Sequence, residues 1–277
     1  MVGAGDYFQP VIETGRKTTA HIRIMAQAFD EWNSSDKMKA DKLQWSRWCM
    51  VVVYAAAMAW VESAVVFYLR SMMDRIEPYQ RNPLPVIGGF AQVELPRELA
   101  TMVMLFAVGW LAGKDWRARL GYSAIAFGVW DIGYYGFLKV MCGWPHSLLD
   151  WDVLFLLPVP WWGPVLAPIL ISLLMILWGT IASRSGAARA PAMRNLFPWI
   201  LNIAGMGIAL YTFMADSFPA SLRGSDAVRN LLPVRFNWLA FGLALILMSA
   251  PVIESLRRTR LAVNRNFCAV EELMPHE

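Results

Sequence analysis

Apolar residues in this chain come in runs too long for the helices of a soluble core. A membrane span takes about 17–25 mostly apolar residues, and six stretches meet that length. The first runs from Trp48 to about Leu69 and is broken only by Glu62. The second covers about Gly89 to Gly113, with Pro96, Arg97 and Glu98 in its first half. The third, Leu120 to Val140, holds Asp131 in its middle. Between Asp152 and Arg184 the chain then passes 31 residues without a charge, too many for one span. The front of that stretch contains Pro158, Pro160, Gly163 and Pro164, so it reads as an interfacial or re-entrant segment. The fourth span follows from about Val165 to Ala182, the fifth from Leu196 to Ala215 and the sixth from Phe236 to Ile253. The pattern predicts an all-α integral membrane protein: a six-transmembrane-helix bundle with an N-terminal arm and an interfacial segment before helix four.

Three regions follow from this reading: an arm over 1–46, the transmembrane domain over 47–256 and a tail over 257–277. In the arm, Ile22, Met25, Ala26 and Phe29 recur at helical spacing. They predict a short amphipathic helix over about 16–32, suited to a membrane surface or a partner.

Composition agrees with the membrane class. Hydrophobic residues make up 57% and charged residues 17%, with mean hydropathy +0.40. A soluble domain is about 25% charged, so a soluble globular, disordered or disulfide-scaffold protein is excluded. The net charge of +4 belongs to loops on the cytoplasmic side, with no nucleic-acid partner implied. The lipid bilayer is the expected partner, joined by other membrane proteins or further copies of the chain. The three cysteines, Cys49, Cys142 and Cys268, form no CxxC pair and read as small apolar residues. His21, His146 and His276 are too scattered for a haem or multi-His centre, so no metal site is expected and no cofactor is indicated. The first 46 residues hold no short apolar signal region, and the first span is expected to act as an uncleaved anchor.

Lys and Arg orient the bundle. The arm together with Arg47 has seven, the short loop after helix two has Lys114, Arg117 and Arg119, and the loop after helix four has Arg184, Arg189 and Arg194. The tail opens Arg257-Arg258-Thr259-Arg260, whereas 141–160 has neither Lys nor Arg. Both termini are expected to be cytoplasmic.

An ionisable residue inside a span usually faces a partner, a cavity or a site. At 1.5 Å per residue from the cytoplasmic edges, Glu62 lies roughly 22 Å in, Glu98 roughly 24 Å and Asp131 roughly 18 Å. Three consecutive helices thus bring carboxylates to one layer. Glu94 is one turn before Glu98, while Arg70, Arg97 and Lys139 stand near the acids. Tyr68, Tyr134 and Tyr135 could add hydroxyls. The cluster has three readings: a structural ion-pair network, a proton or cation relay, or a hard-cation or catalytic site. Asp131 has only apolar or aromatic neighbours along its helix, so its polar partner is expected from helix one or two. The outer loop, Gly143 to Asp152, gathers His146, Ser147, Asp150 and Asp152. A hydrolase would use Ser147 with His146 and an Asp, but there is no G-x-S-x-G elbow. The bland alternative is an aromatic loop at headgroup level.

The stretch Phe127-Gly128-Val129-Trp130-Asp131-Ile132, Tyr134-Tyr135, Leu138-Lys139, Gly143-Trp144-Pro145, Ser147-Leu148-Leu149, Trp151-Asp152 and Pro158-Val159-Pro160-Trp161 resembles a family of uncharacterised bacterial polytopic membrane proteins. Glu94 to Gly113 is similar to that family as well, so the resemblance covers roughly 60–170. It implies a bacterial inner-membrane location and no activity. Three roles stay open: a non-catalytic subunit or scaffold of a membrane complex, a small proton- or cation-coupled transporter, and an intramembrane enzyme acting on a lipid or periplasmic substrate.

Overall fold

The computed structural model describes residues 9–80, 90–155, 159–184 and 196–271, with side chains in 35, 38–80, 92–155, 159–184 and 196–261. It falls into two units, Met1–Arg47 and Trp48–Glu277. The helical backbone of α1 spans Gln9–Met72. It includes the expected arm helix, whose apolar side chains lie outside the described residues.

The second unit is helical apart from one hairpin. After α1 come α2 (Phe90–Ala112), α3 (Trp116–Cys142), strands β1 (Trp151–Val153) and β2 (Trp162–Pro164), and α4 (Leu166–Arg184). Next are α5 (Phe197–Met214), the short α6 (Ser217–Ser221) and α7 (Ser225–Arg229), α8 (Trp238–Met248) and α9 (Ala250–Glu271). Five segments among the described residues are long and apolar enough to cross a membrane: Met38–Met72, Gln92–Ala112, Leu166–Arg184, Phe197–Met214 and Trp238–Leu261. Their outward faces are apolar, as at Val61, Leu111, Ile203 and Leu239.

Three features bear on these expectations. The third expected span, α3, is long enough at 27 residues but is not among the five segments apolar enough to cross a membrane. Asp131, three tyrosines and four glycines dilute it. Burial explains the tolerance, since Ala118, Tyr122, Ile125, Ala126 and Trp130 of α3 pack inside a core with Val51, Ala55 and Ala59 of α1 and Leu105 of α2. The segment before α4 is a β-hairpin, with Trp151 opposite Pro164 and Val153 opposite Trp162. Last, α9 continues to Glu271 through the stretch expected as a tail.

Small residues set the helix spacing. A Cβ on Gly121 would stand 2.9 Å from the carbonyl oxygen of Gly179, and one on Gly128 would stand 2.6 Å from that of Ser172. Without a hydrophobic force between helices in lipid, such close backbone approach is a main source of association. A second core joins Ala167 of α4, Ala209 and Phe213 of α5, and Phe241 and Ala244 of α8.

The loops at the C-terminal ends of α1, α3 and α5 meet as a cap. Gly143, at φ 78°, ends α3 with its N–H donating to the Lys139 carbonyl. Tyr79 stacks on Trp151 and donates its hydroxyl to the Pro233 carbonyl at 2.9 Å. Ser217 Oγ donates to the Pro160 carbonyl at 2.5 Å. The last span breaks at Ser249, two residues before Pro251, whose ring nitrogen cannot donate to the helix. Asn202 of α5 donates to the Met248 carbonyl at this break, at 3.2 Å.

Candidate functional site: a cavity with a charged end

A cavity of about 940 Å³ lies within the second unit. Its charged end is built by α1, α2, α3 and the hairpin, which contribute Glu62, Arg70, Glu94, Arg97, Glu98, Asp131 and Asp152. The rest of the wall is largely apolar and comes from α4, α5 and the α8–α9 break, including Ile171, Met175, Leu210, Phe213 and Val252. Four indoles also face it: Trp130, Trp161, Trp178 and Trp199.

Arg97 ties the first two helices together. It sits three residues after Glu94 on α2, so both side chains share one face. Its guanidinium reaches Glu94 from Nε at 2.9 Å and from Nη2 at 2.6 Å. Nη1 donates to both Glu62 oxygens at 2.6 Å. Thr101 adds a hydroxyl to Glu62 at 3.3 Å. Both carboxylates are buried, and a planar guanidinium fits two carboxylates where a lysine would reach only one.

A second pair closes the cap end. Arg70 Nη2 donates to Asp152 Oδ1 at 2.9 Å and to the Tyr134 hydroxyl at 3.2 Å. The guanidinium lies over the Trp144 ring, 4.4 Å from its centroid. Asp152 is 1% exposed, and Val153 N–H donates to the same Oδ1 at 2.9 Å. Burial pushes this carboxyl above the usual carboxylate range, against the pull of Arg70 and the Val153 amide. Sequence reading placed Asp152 in the outer loop and Arg70 over Glu62; the hairpin instead brings Asp152 inward to Arg70.

Asp131 differs from the others. Its one hydrogen bond comes from Ser172 Oγ of α4, at 2.8 Å to Oδ2. The partner expected from helix one or two is therefore on α4, because α3 packs closest to α4 where Gly128 meets Ser172. Asp131 keeps some accessible surface although α3 is interior, and it lines the cavity. Since Asn can accept the Ser172 hydroxyl through its own Oδ1, Asp131→Asn should leave thermal stability in detergent within about 1 kcal/mol of the parent. A large drop in melting temperature would show that the charge itself holds the fold.

The remaining predicted residues separate from this set. Lys139 is exposed and caps α3, with Nζ donating to the Gly143 carbonyl at 2.8 Å. Tyr68 is exposed as well. His146 Nε2 pairs with Glu77 at 3.1 Å. Asp150 Oδ2 accepts the amides of His146 and Ser147 at 2.6 and 3.2 Å, and Ser147 Oγ accepts that of Leu149 at 3.2 Å. Ser147 and His146 thus serve a loop turn and do not face each other as nucleophile and base. Among the described residues no group of three His, Cys, Asp or Glu side chains is placed to hold a metal ion.

Sequence reading missed Ser172 and Asn202, which share their spans with other hydroxyl side chains such as Thr180 and Thr212, so no local signal set them apart. Compared with protein families, curated proteins and solved structures, the chain finds no match in any of the three.

Proposed function

We propose that this chain is a small carrier of the bacterial inner membrane, with α3 as its sixth span and both termini cytoplasmic, that takes a ligand into the cavity between its helices. The cavity itself carries the reading. A subunit or scaffold without chemistry of its own asks for a dry core in which every carboxylate is bridged. Here Asp131 has no ion pair among the described residues and borders open volume together with Glu62, Glu94 and Glu98, as a relay that exchanges a proton or cation with cargo requires. The volume lies near the top of the roughly 300–1,000 Å³ range of small-molecule sites. An enzyme reading has less support, because Ser147 is engaged in its turn.

Accessibility tests this directly. Single cysteines at Met175 or Leu210, in a chain with its three native cysteines replaced, should react with a small membrane-impermeant thiosulfonate in sealed vesicles. Labelling at neither position would sink the carrier reading and favour a packed scaffold. The same background tests topology. Ser147→Cys, on the exposed outer loop, should label from the non-cytoplasmic face alone; labelling only after the cytoplasmic face is opened would reverse the orientation.

A further inference from the structure

We infer that the cavity's ligand is a lipophilic organic cation, a quaternary or protonated centre carried on an apolar body, with its charge held at Asp131. The inference deepens the carrier reading and rests on it.

Charge comes first. Five carboxylates border the cavity against three guanidiniums, those of Arg70, Arg75 and Arg97. Arg97 is committed to Glu62 and Glu94, and Arg70 to Asp152. Arg75 is drawn to the turn below the cap, donating to the carbonyls of Pro78 and Gln80 at 3.0 and 3.2 Å. Asp131 has a neutral hydroxyl as its hydrogen-bond donor and no ion pair among the described residues. An anionic carboxylate at this depth is costly without a counter-charge, and a cation brought into the cavity supplies one.

The walls complete the fit. Trp130 adjoins Asp131 in sequence, and Trp161, Trp178 and Trp199 line the same volume. Indole faces attract cations, more strongly where water is excluded. The rest of the wall is largely methionine, aliphatic and phenylalanine side chains, which suits a flexible or bulky apolar body. Among the described residues no three carboxylates come together here to hold a free metal ion, and an anionic amphiphile would meet Asp131 with Arg70 and Arg97 already committed to other carboxylates.

An isosteric pair of probes separates charge from shape: tetraphenylphosphonium and tetraphenylborate. Binding of each is measured by equilibrium dialysis against purified full-length protein in nanodiscs of zwitterionic lipid, with empty nanodiscs as the blank. The expected result is at least about tenfold tighter binding of the phosphonium by the parent chain, a preference that falls to near parity in Asp131→Asn. The variant's melting temperature, read on the same sample, confirms that it is folded. Equal affinity for both probes, or a preference that survives in Asp131→Asn, would overturn the cation assignment while leaving the cavity reading intact. Binding of neither probe, together with unreactive cysteines at Met175 and Leu210, would remove the carrier reading itself.

Discussion

Arg97→Ala should destabilise the bundle by about 3–5 kcal/mol, the cost of leaving buried charge without its partner. The guanidinium is 23% exposed on its side chain and the two carboxylates it serves are 10% and 11% exposed, so water from the cavity reaches only a small part of each and cannot replace the lost partner in full. The loss should appear as a lower melting temperature in mild detergent, followed by tryptophan fluorescence. A second variant tells a stranded charge from lost packing. With Glu62→Gln and Glu94→Gln added, the carboxylates become neutral and most of the loss should return. If the triple variant is no more stable than Arg97→Ala, the guanidinium matters for its volume rather than its charge.

The other large effect lies at the α3–α4 contact. A Cβ on Gly179 would run into the carbonyl oxygen of Gly121 and stand 2.9 Å from Cγ1 of Ile125. Backbone cannot swing aside as a side-chain end can, so Gly179→Leu must push the helices apart. The expected loss is about 3 kcal/mol, the upper end for overpacking, and the separation would also loosen the Ser172–Asp131 bond. Gly136 on the facing helix α3 is the control, because nothing lies within 4 Å of a Cβ there. Gly136→Ala should be neutral or stabilising by about 0.4–1 kcal/mol. An equal loss at Gly136, where a Cβ meets nothing within 4 Å, would show that close helix approach is not what governs these glycines.

Span positions were legible because an apolar run of about 20 residues matches the thickness of a bilayer and exceeds what the one-sided stripe of a soluble helix needs. The starts and ends of α2, α4 and α5 fall close to those runs. The shared layer of Glu62, Glu98 and Asp131 followed from helical rise alone, and all three border one cavity. Rise does not fix rotation about the helix axis, however. It could not say that Lys139 turns out to cap α3, or that Asp131 faces α4. The hairpin was hidden because its prolines and glycine mark a break without saying whether the chain then pairs with itself. Asp152 was read as a loop acid for the same reason: only the pairing of Asp152 with Gly163 brings it to Arg70. The apolar half of the cavity left no local trace, since a leucine or methionine facing a void looks like one facing lipid.

The Arg97 bridge also bears on how the chain enters the membrane. Glu62 lies on α1 and Arg97 on α2, the span made after it, 35 residues later. A first helix released alone into lipid would carry its carboxylate unneutralised, at an insertion cost of about 2.5–3.5 kcal/mol. Held at the protein-conducting channel until the second helix arrives, it leaves as half of a neutralised pair. Biogenesis intermediates ending before Phe90 should therefore remain beside the channel, and those extending past Ala112 should move away from it into the bilayer.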